Sequence, residues 1–310
     1  MGNSYFSSRH PFVQLVFAAL IILVTFLAVT LLTLIPGLFI FRVPLSDWAS
    51  ALDVSNPANV PFLKYLQITQ VLALFILPPM IIGWIDCRNP FKFLQIDRIP
   101  GSRLTLLSIA ILILIVPLIT FLGWLNESMQ LPRFLGWLED WMLRSEAQMG
   151  DLTKAFLEVN NFGGYLINVL MVVFLAAFGE EFFFRGIVQK LLHRWIRNPH
   201  WAIIVAAIIF SAFHQQYYGF LPRFVLGLLF GYLFYWSGNL WYAIIPHFIN
   251  NLIPVTLSYA APAMFASGEL EPVITGQNDW IWIVPATLAA IGAVYYFYRK
   301  ARVVTPRSDE

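Results

Sequence analysis

FVLGLLFGYLFYWSGNLWYAIIPHFINNLIPVTLSYAAPAMFASG, residues 224–268, runs from Arg223 to Glu269 without a Lys, Arg, Asp or Glu. A helix needs about 20 apolar residues to cross roughly 30 Å of hydrocarbon. The stretch therefore has room for two crossings, and Ser237-Gly238-Asn239 inside it is a natural turn. Two membrane helices joined by a tight reversal is the reading it dictates.

The rest of the chain is of the same kind. Uncharged runs cover Phe12 to Phe41, Tyr65 to Ile85, Leu104 to Asn126, Val159 to Gly179, His200 to Pro222 and Trp280 to Tyr298. With the two above they predict an all-α, polytopic transmembrane bundle of about eight helices. Pro36-Gly37 is expected to end or kink the first, and Glu180 to end the fourth. Composition agrees: 59% of the 310 residues are hydrophobic and 12% charged, against roughly 25% charged in a soluble domain. Trp84, Trp124, Trp201, Trp236, Trp241 and Trp280 fall near expected helix ends, as interfacial aromatic belts require. Two connecting segments, Phe134 to Met149 and Ile187 to Arg197, read as amphipathic interfacial helices.

A net charge of +2 and the absence of a basic tract exclude a nucleic-acid partner. The lone Cys87 excludes an intrachain disulfide or a thiolate metal cluster, and no histidine stands near it, so it reads as an ordinary interfacial residue. The first apolar run is too long for a cleaved signal core. Met1-Gly2 lacks the Ser or Thr a myristoylation start wants at position 6, and Arg307-Ser308-Asp309-Glu310 is no lipidation box.

Alternating sides of eight spans collect the basic residues unevenly. One side holds Arg9, Arg88, Lys92, Arg98, Arg103, Arg185, Lys190, Arg194, Arg197, Arg299, Lys300, Arg302 and Arg307, 13 of 19. The positive-inside rule then puts both termini in the cytosol. A single membrane domain over 1–310 is expected: scaffold spans and an amphipathic segment in 1–158, a motif-bearing core in 159–261, and the last span with a cytosolic tail in 262–310.

Ionisable groups in hydrocarbon cost at least about 2.5–3.5 kcal/mol, so those inside spans are functional candidates. Phe178-Gly179-Glu180-Glu181-Phe182-Phe183-Phe184-Arg185 puts Glu181 and Arg185 four apart on one helix face. Glu180, turned by about 100°, projects elsewhere. One glutamate is thus neutralised and the other left to act. Phe210-Ser211-Ala212-Phe213-His214 and Pro246-His247-Phe248-Ile249-Asn250-Asn251 add two imidazoles and a carboxamide. His247 and Asn251 share a face, while Asn250 points away from it, where packing or helix–helix hydrogen bonding suffices for it. Taken singly, each pattern also suits a helix cap or a packed polar residue. Together, a carboxylate, two imidazoles and an amide can activate water and donate to a developing oxyanion. Glu180, His214 and His247 could also ligate zinc with one position open, although His-Glu-x-x-His is absent; water activated by glutamate with no tightly bound cofactor is preferred.

Glu180, Glu181 and Arg185, then Phe210 and His214, then His247 and Asn251 meet the pattern Glu-Glu-x-x-x-Arg, Phe-x-x-x-His, His-x-x-x-Asn. In this the chain resembles the CAAX-protease and bacteriocin-processing (Abi) family of intramembrane endopeptidases, over roughly Gly179 to Asn251. The resemblance implies peptide-bond hydrolysis in the membrane near its cytosolic side. It implies that Glu180 and His214 activate water, His247 and Asn251 form the oxyanion hole, and Glu181 and Arg185 brace the site. The expected partners are the lipid bilayer and a peptide or membrane-anchored protein substrate.

Two alternatives accompany it: an immunity or partner-binding member of the same family, and a proton-coupled transporter using Glu180 and His214 as a relay. The transporter predicts a second polar cluster in the first half, and the first three spans carry none. One geometric demand follows from the sites themselves. His214 stands about 21 Å along its helix from His200, so the groups meet only if the fourth span continues past Arg185 or the fifth begins later; a long helix through Glu180 to about Gln189 reconciles them.

Gly227-Leu228-Leu229-Phe230-Gly231 is a small-x-x-x-small pattern that predicts close helix packing. Asn126-Glu127-Ser128 matches a glycosylation acceptor.

Overall fold

The chain folds into long helices, and among the described residues there is no β-strand. The computed structural model describes residues 6, 8–44, 46, 48–129, 131–267 and 279–304. Met1-Gly2, Glu269 and the Arg307 to Glu310 tail lie outside them. Six helices are long and apolar enough to cross a membrane. They are α1 (Pro11–Ile40), α2 (Pro57–Cys87), α3 (Ser102–Ser128), α5 (Phe162–Ile196), α7 (Phe220–Ser237) and the greater part of α9 (Trp280–Val304). Two more pack among them: α6 (Pro199–Phe213), apolar but only 15 residues long, and α8 (Trp241–Ala260), which carries His247, Asn250 and Asn251. An amphipathic helix, α4 (Gly136–Leu157), connects α3 to α5. The protein is an integral membrane protein.

Several boundaries differ from expectation, each for a physical reason. The helix does not stop at Pro36-Gly37 but runs on to Ile40; Gly37 sits so close to the Tyr65 ring that a Cβ there would come within 2.6 Å of it. The fourth span does not end at Glu180. It continues as α5 to Ile196, because Glu181 and Arg185 neutralise each other inside the bundle. Ile187 to Arg197 is therefore no separate interfacial helix. Its Lys190 is covered, donating to the Phe93 carbonyl and lying 4.8 Å from the Phe93 ring centre. At Arg197 a left-handed residue reverses the chain, and the Asn198 side chain caps α6 by accepting from the His200 and Trp201 N–H groups. The fifth span closes at Phe213 rather than Pro222, with the reversal at 214–219. The turn at Ser237-Gly238-Asn239 is as read, with Gly238 at φ 59°. The segment read as Phe134 to Met149 forms a longer helix, α4.

The core gathers around α7, whose Phe230 and Leu233 are fully buried against Ile111 and Leu112 of α3 and Phe297 of α9. Asn126 at the end of α3 is buried, and its Oδ1 accepts the Leu221 N–H at the first turn of α7. That seals the nitrogen a glycan would need, so the Asn-Glu-Ser triplet serves as a helix cap.

Gly227 and Gly231 do bring helices together. A Cβ at Gly227 would stand 2.9 Å from the Ala207 Cβ; one at Gly231 would stand 2.8 Å from Ile203 Cγ2 and 2.9 Å from Gln189 Oε1. Gly231→Val is expected to destabilise the protein by about 1–3 kcal/mol through overpacking. Gly292→Ala on α9, where nothing lies within 4 Å, is the control. Denaturant titration in one detergent compares them, and equal stability of the two variants would contradict the packing role.

Candidate active site

Helix α5 sets the site by placing neighbouring glutamates in different surroundings. Its backbone opens into wide, π-type turns over Val169–Leu175 and Glu181–Gln189, on either side of Ala176–Glu180. Such widened turns occur often at functional positions. Glu181 faces inward and is 0% exposed; Arg185, one turn on, is 2% exposed. The Arg185 Nη1 donates to Glu181 Oε1 at 2.8 Å and its Nη2 to the Gly227 carbonyl at 3.0 Å. The guanidinium lies 4.7 Å from the Phe210 ring centre. A buried carboxylate survives only when paired in this way.

The same Glu181 Oε1 stands 2.7 Å from His247 Nδ1. An ionised carboxylate only accepts, so Nδ1 carries the proton of this bond. The ring is held flat against Phe230, centroids 5.1 Å apart and planes at 18°. His247 Nε2 is thereby aimed away from Glu181, and it lies 3.7 Å from Glu180 Oε2. His214, the residue that closes α6, is oriented by a bond from Nδ1 to the Phe210 carbonyl at 2.9 Å. A carbonyl also only accepts, so again Nε2 is the free nitrogen. It lies 3.8 Å from the same Glu180 Oε2. That oxygen is buried and has no hydrogen-bond partner among the described residues.

Asn251 lies one turn beyond His247 on α8. Its Nδ2 donates to the Val172 carbonyl at 3.2 Å. Its Oδ1 accepts from Asn250 at 3.2 Å. Asn250, expected to point away from the face that His247 and Asn251 share, lines the cavity with them. Its amide reaches the neighbouring amide because both project towards the same open space.

All six residues singled out from the sequence meet here. Glu180, His214, His247 and Asn251 line a cavity of about 540 Å³. Glu181 and Arg185 stand behind them. Of the two ways in which they could meet, the long α5 supplies the continuation past Arg185.

Three residues at the outer end were not foreseen as part of the site. Arg223 donates to the Gln216 carbonyl and Oε1 at 2.9 and 2.7 Å. Gln216 in turn donates to Glu146 of α4 at 3.3 Å, and Glu146 also accepts the Tyr218 N–H at 3.2 Å. Arg223 marked the edge of an uncharged run in the sequence, and that was its one signal. Among the described residues no group of three His, Cys, Asp or Glu side chains is arranged to hold a metal ion.

Residues 162–253 match a family model described as Type II CAAX prenyl endopeptidase Rce1-like. The motif-bearing segment is similar to that family. Every one of the six residues falls inside the match, so the resemblance read from motif spacing stands at the family level. The chain is also similar to the Uncharacterized protein YpbD of Bacillus subtilis (strain 168), with 30% identity over 90 residues. That alignment covers 28% of this chain and 43% of the Bacillus protein. No solved structure matches. The Rce1-like match supports a CAAX-type intramembrane protease at the family level.

Proposed function

We propose that this protein is an intramembrane endopeptidase that hydrolyses peptide bonds of membrane-associated substrates with water activated by Glu180 and His214. The observation that carries the reading is the convergence of two imidazole Nε2 atoms, at 3.8 and 3.7 Å, on one buried, unpartnered oxygen of Glu180. A water held by Glu180 and His214 loses a proton to this pair as its oxygen attacks the scissile carbonyl carbon. The C–N bond then breaks, and the proton passes from Glu180 to the leaving amine. Asn251, and His247 through a protonated Nε2, donate to the oxyanion that forms between these steps. Glu181 fixes the imidazole that does so, and Arg185 fixes Glu181. The water step needs no metal in this scheme.

The test uses purified protein in liposomes and a library of membrane-anchored peptides, with products read by mass spectrometry. The wild type is expected to cleave, and to cleave equally after treatment with a chelator. His247→Ala is expected to lose about 10²–10³-fold in rate, the usual scale for an oxyanion donor. Equal cleavage by wild type and variant sinks the assignment. Loss on chelation with recovery on added zinc sinks the metal-free part of it.

A further inference from the structure

The cavity has a direction. On α5 its wall is built by Met171, Val172 and Ala176, which lie on the Phe162 side of Glu180. On α8 it continues from His247 through Asn251 to Pro254, towards Ala260; on α7 it runs from Phe230 out to Arg223, towards Phe220. Met149 and Thr153 of α4 wall its outer end. In the opposite direction the bundle is packed: Arg185 and Gln189 are buried, and Gln189 donates to the Gly231 carbonyl at 3.2 Å. The space around Glu180 therefore leads to the face that bears α4 and the 214–219 reversal. It leads away from the face that bears the Arg88 and Arg197 turns.

Those two faces differ sharply in charge. Near the mouth, Glu127, Glu139, Asp140, Glu146, Asp151 and Glu158 outnumber Arg133, Arg144 and Lys154 along 127–158, and the face adds Asp53 and Asp279 against Arg42, Lys64 and Arg223. The far face carries Arg88, Lys92, Arg98 and Arg103 in one turn, Lys190, Arg194 and Arg197 in the next, and Arg299 and Lys300 at the end of α9. Its acids among the described residues are Asp86 and Asp97. Short segments rich in Lys and Arg stay on the cytosolic side.

We infer that the catalytic cavity opens to the extracytoplasmic side of the membrane. Its substrate class is then a polypeptide whose scissile bond is presented from the outer leaflet. The resemblance to CAAX proteases carries the opposite expectation, a site near the cytosolic side. The two differ by inversion of the whole chain, which makes them separable. The orientation stands by itself, whereas the substrate class rests on the proteolytic reading.

The protein carries its own probe, since Cys87 is its one cysteine and is exposed at the end of α2 on the basic face. Intact spheroplasts producing the full chain are treated with a charged, membrane-impermeant maleimide. Cys87 in the wild type is expected to react only after the membrane is permeabilised. Ser55→Cys and Asp140→Cys, each in a Cys87→Ser background and each at an exposed position near the mouth, are expected to react at once. The reverse pattern overturns the inference, and so does labelling of both faces in intact spheroplasts. An inactive protein with the expected labelling leaves the orientation standing and sinks the protease reading alone.

Discussion

Glu180→Gln is expected to leave the protein folded and to lower the cleavage rate by roughly 10³–10⁴-fold, the upper part of the range for a general base. The substitution keeps the shape of the side chain and removes its ability to take a proton. Among the described residues nothing donates to Glu180 Oε2, so no described bond is lost from the fold. Removing a charge from inside the membrane opposes no pairing that Glu181 and Arg185 need, since they pair with each other. Initial rates on a cleavable membrane peptide, with thermal unfolding of both proteins measured in the same detergent, check the pair of outcomes. Retention of near wild-type cleavage removes Glu180 from the water-activating role. The same variant separates the two family-level readings: a cellular role that survives its loss of cleavage belongs to partner binding, not proteolysis.

Arg185→Leu is expected to act on stability instead, by about 3–5 kcal/mol, the scale for leaving one member of a buried ion pair behind. The carboxylate it abandons is 0% exposed and retains only the bond to His247. The arginine also leaves the Gly227 carbonyl and the Phe210 ring without their partner. A double variant, Arg185→Leu with Glu181→Leu, is expected to recover much of the loss, because an apolar pair of similar size tolerates burial. It is not expected to recover activity, since His247 then has nothing on Nδ1 to hold its ring. Arg185→Lys keeps a charge but offers a point donor where a planar fork makes two bonds, and should fall between. Denaturant unfolding in detergent micelles measures all three. A single Arg185→Leu variant as stable as wild type would contradict the paired geometry.

Much of the site could be read from the sequence because its contacts are encoded at helical spacing. Glu181 and Arg185 are four apart, as are Phe210 and His214, whose ring bonds back to the Phe210 carbonyl. The Glu181–His247 bond could not be read. It joins residues 66 apart, and no local pattern records which of two adjacent glutamates an imidazole on another helix will face. Helix ends failed for a related reason. Charge ordinarily marks a span's boundary, yet Glu181, Arg185 and Lys190 lie within α5, each held by a partner from another element. Conversely, the real reversal at 214–219 contains no Lys, Arg, Asp or Glu, so nothing charged announced it. The membrane class itself was secure, since it depends on composition and not on any single pairing.

The shortness of α6 has a consequence for the surrounding lipid. Fifteen residues rise only about 22 Å, roughly 8 Å less than a typical hydrocarbon layer. Its outer surface, with Trp201, Ile208 and Ile209 exposed, nonetheless faces outward as a membrane helix does. Acyl chains beside it must compress or splay to meet it, at a cost that grows with each ångström of mismatch. His214 stands at the end where they do so. A thinner bilayer is therefore expected to suit this side of the protein better than a thicker one.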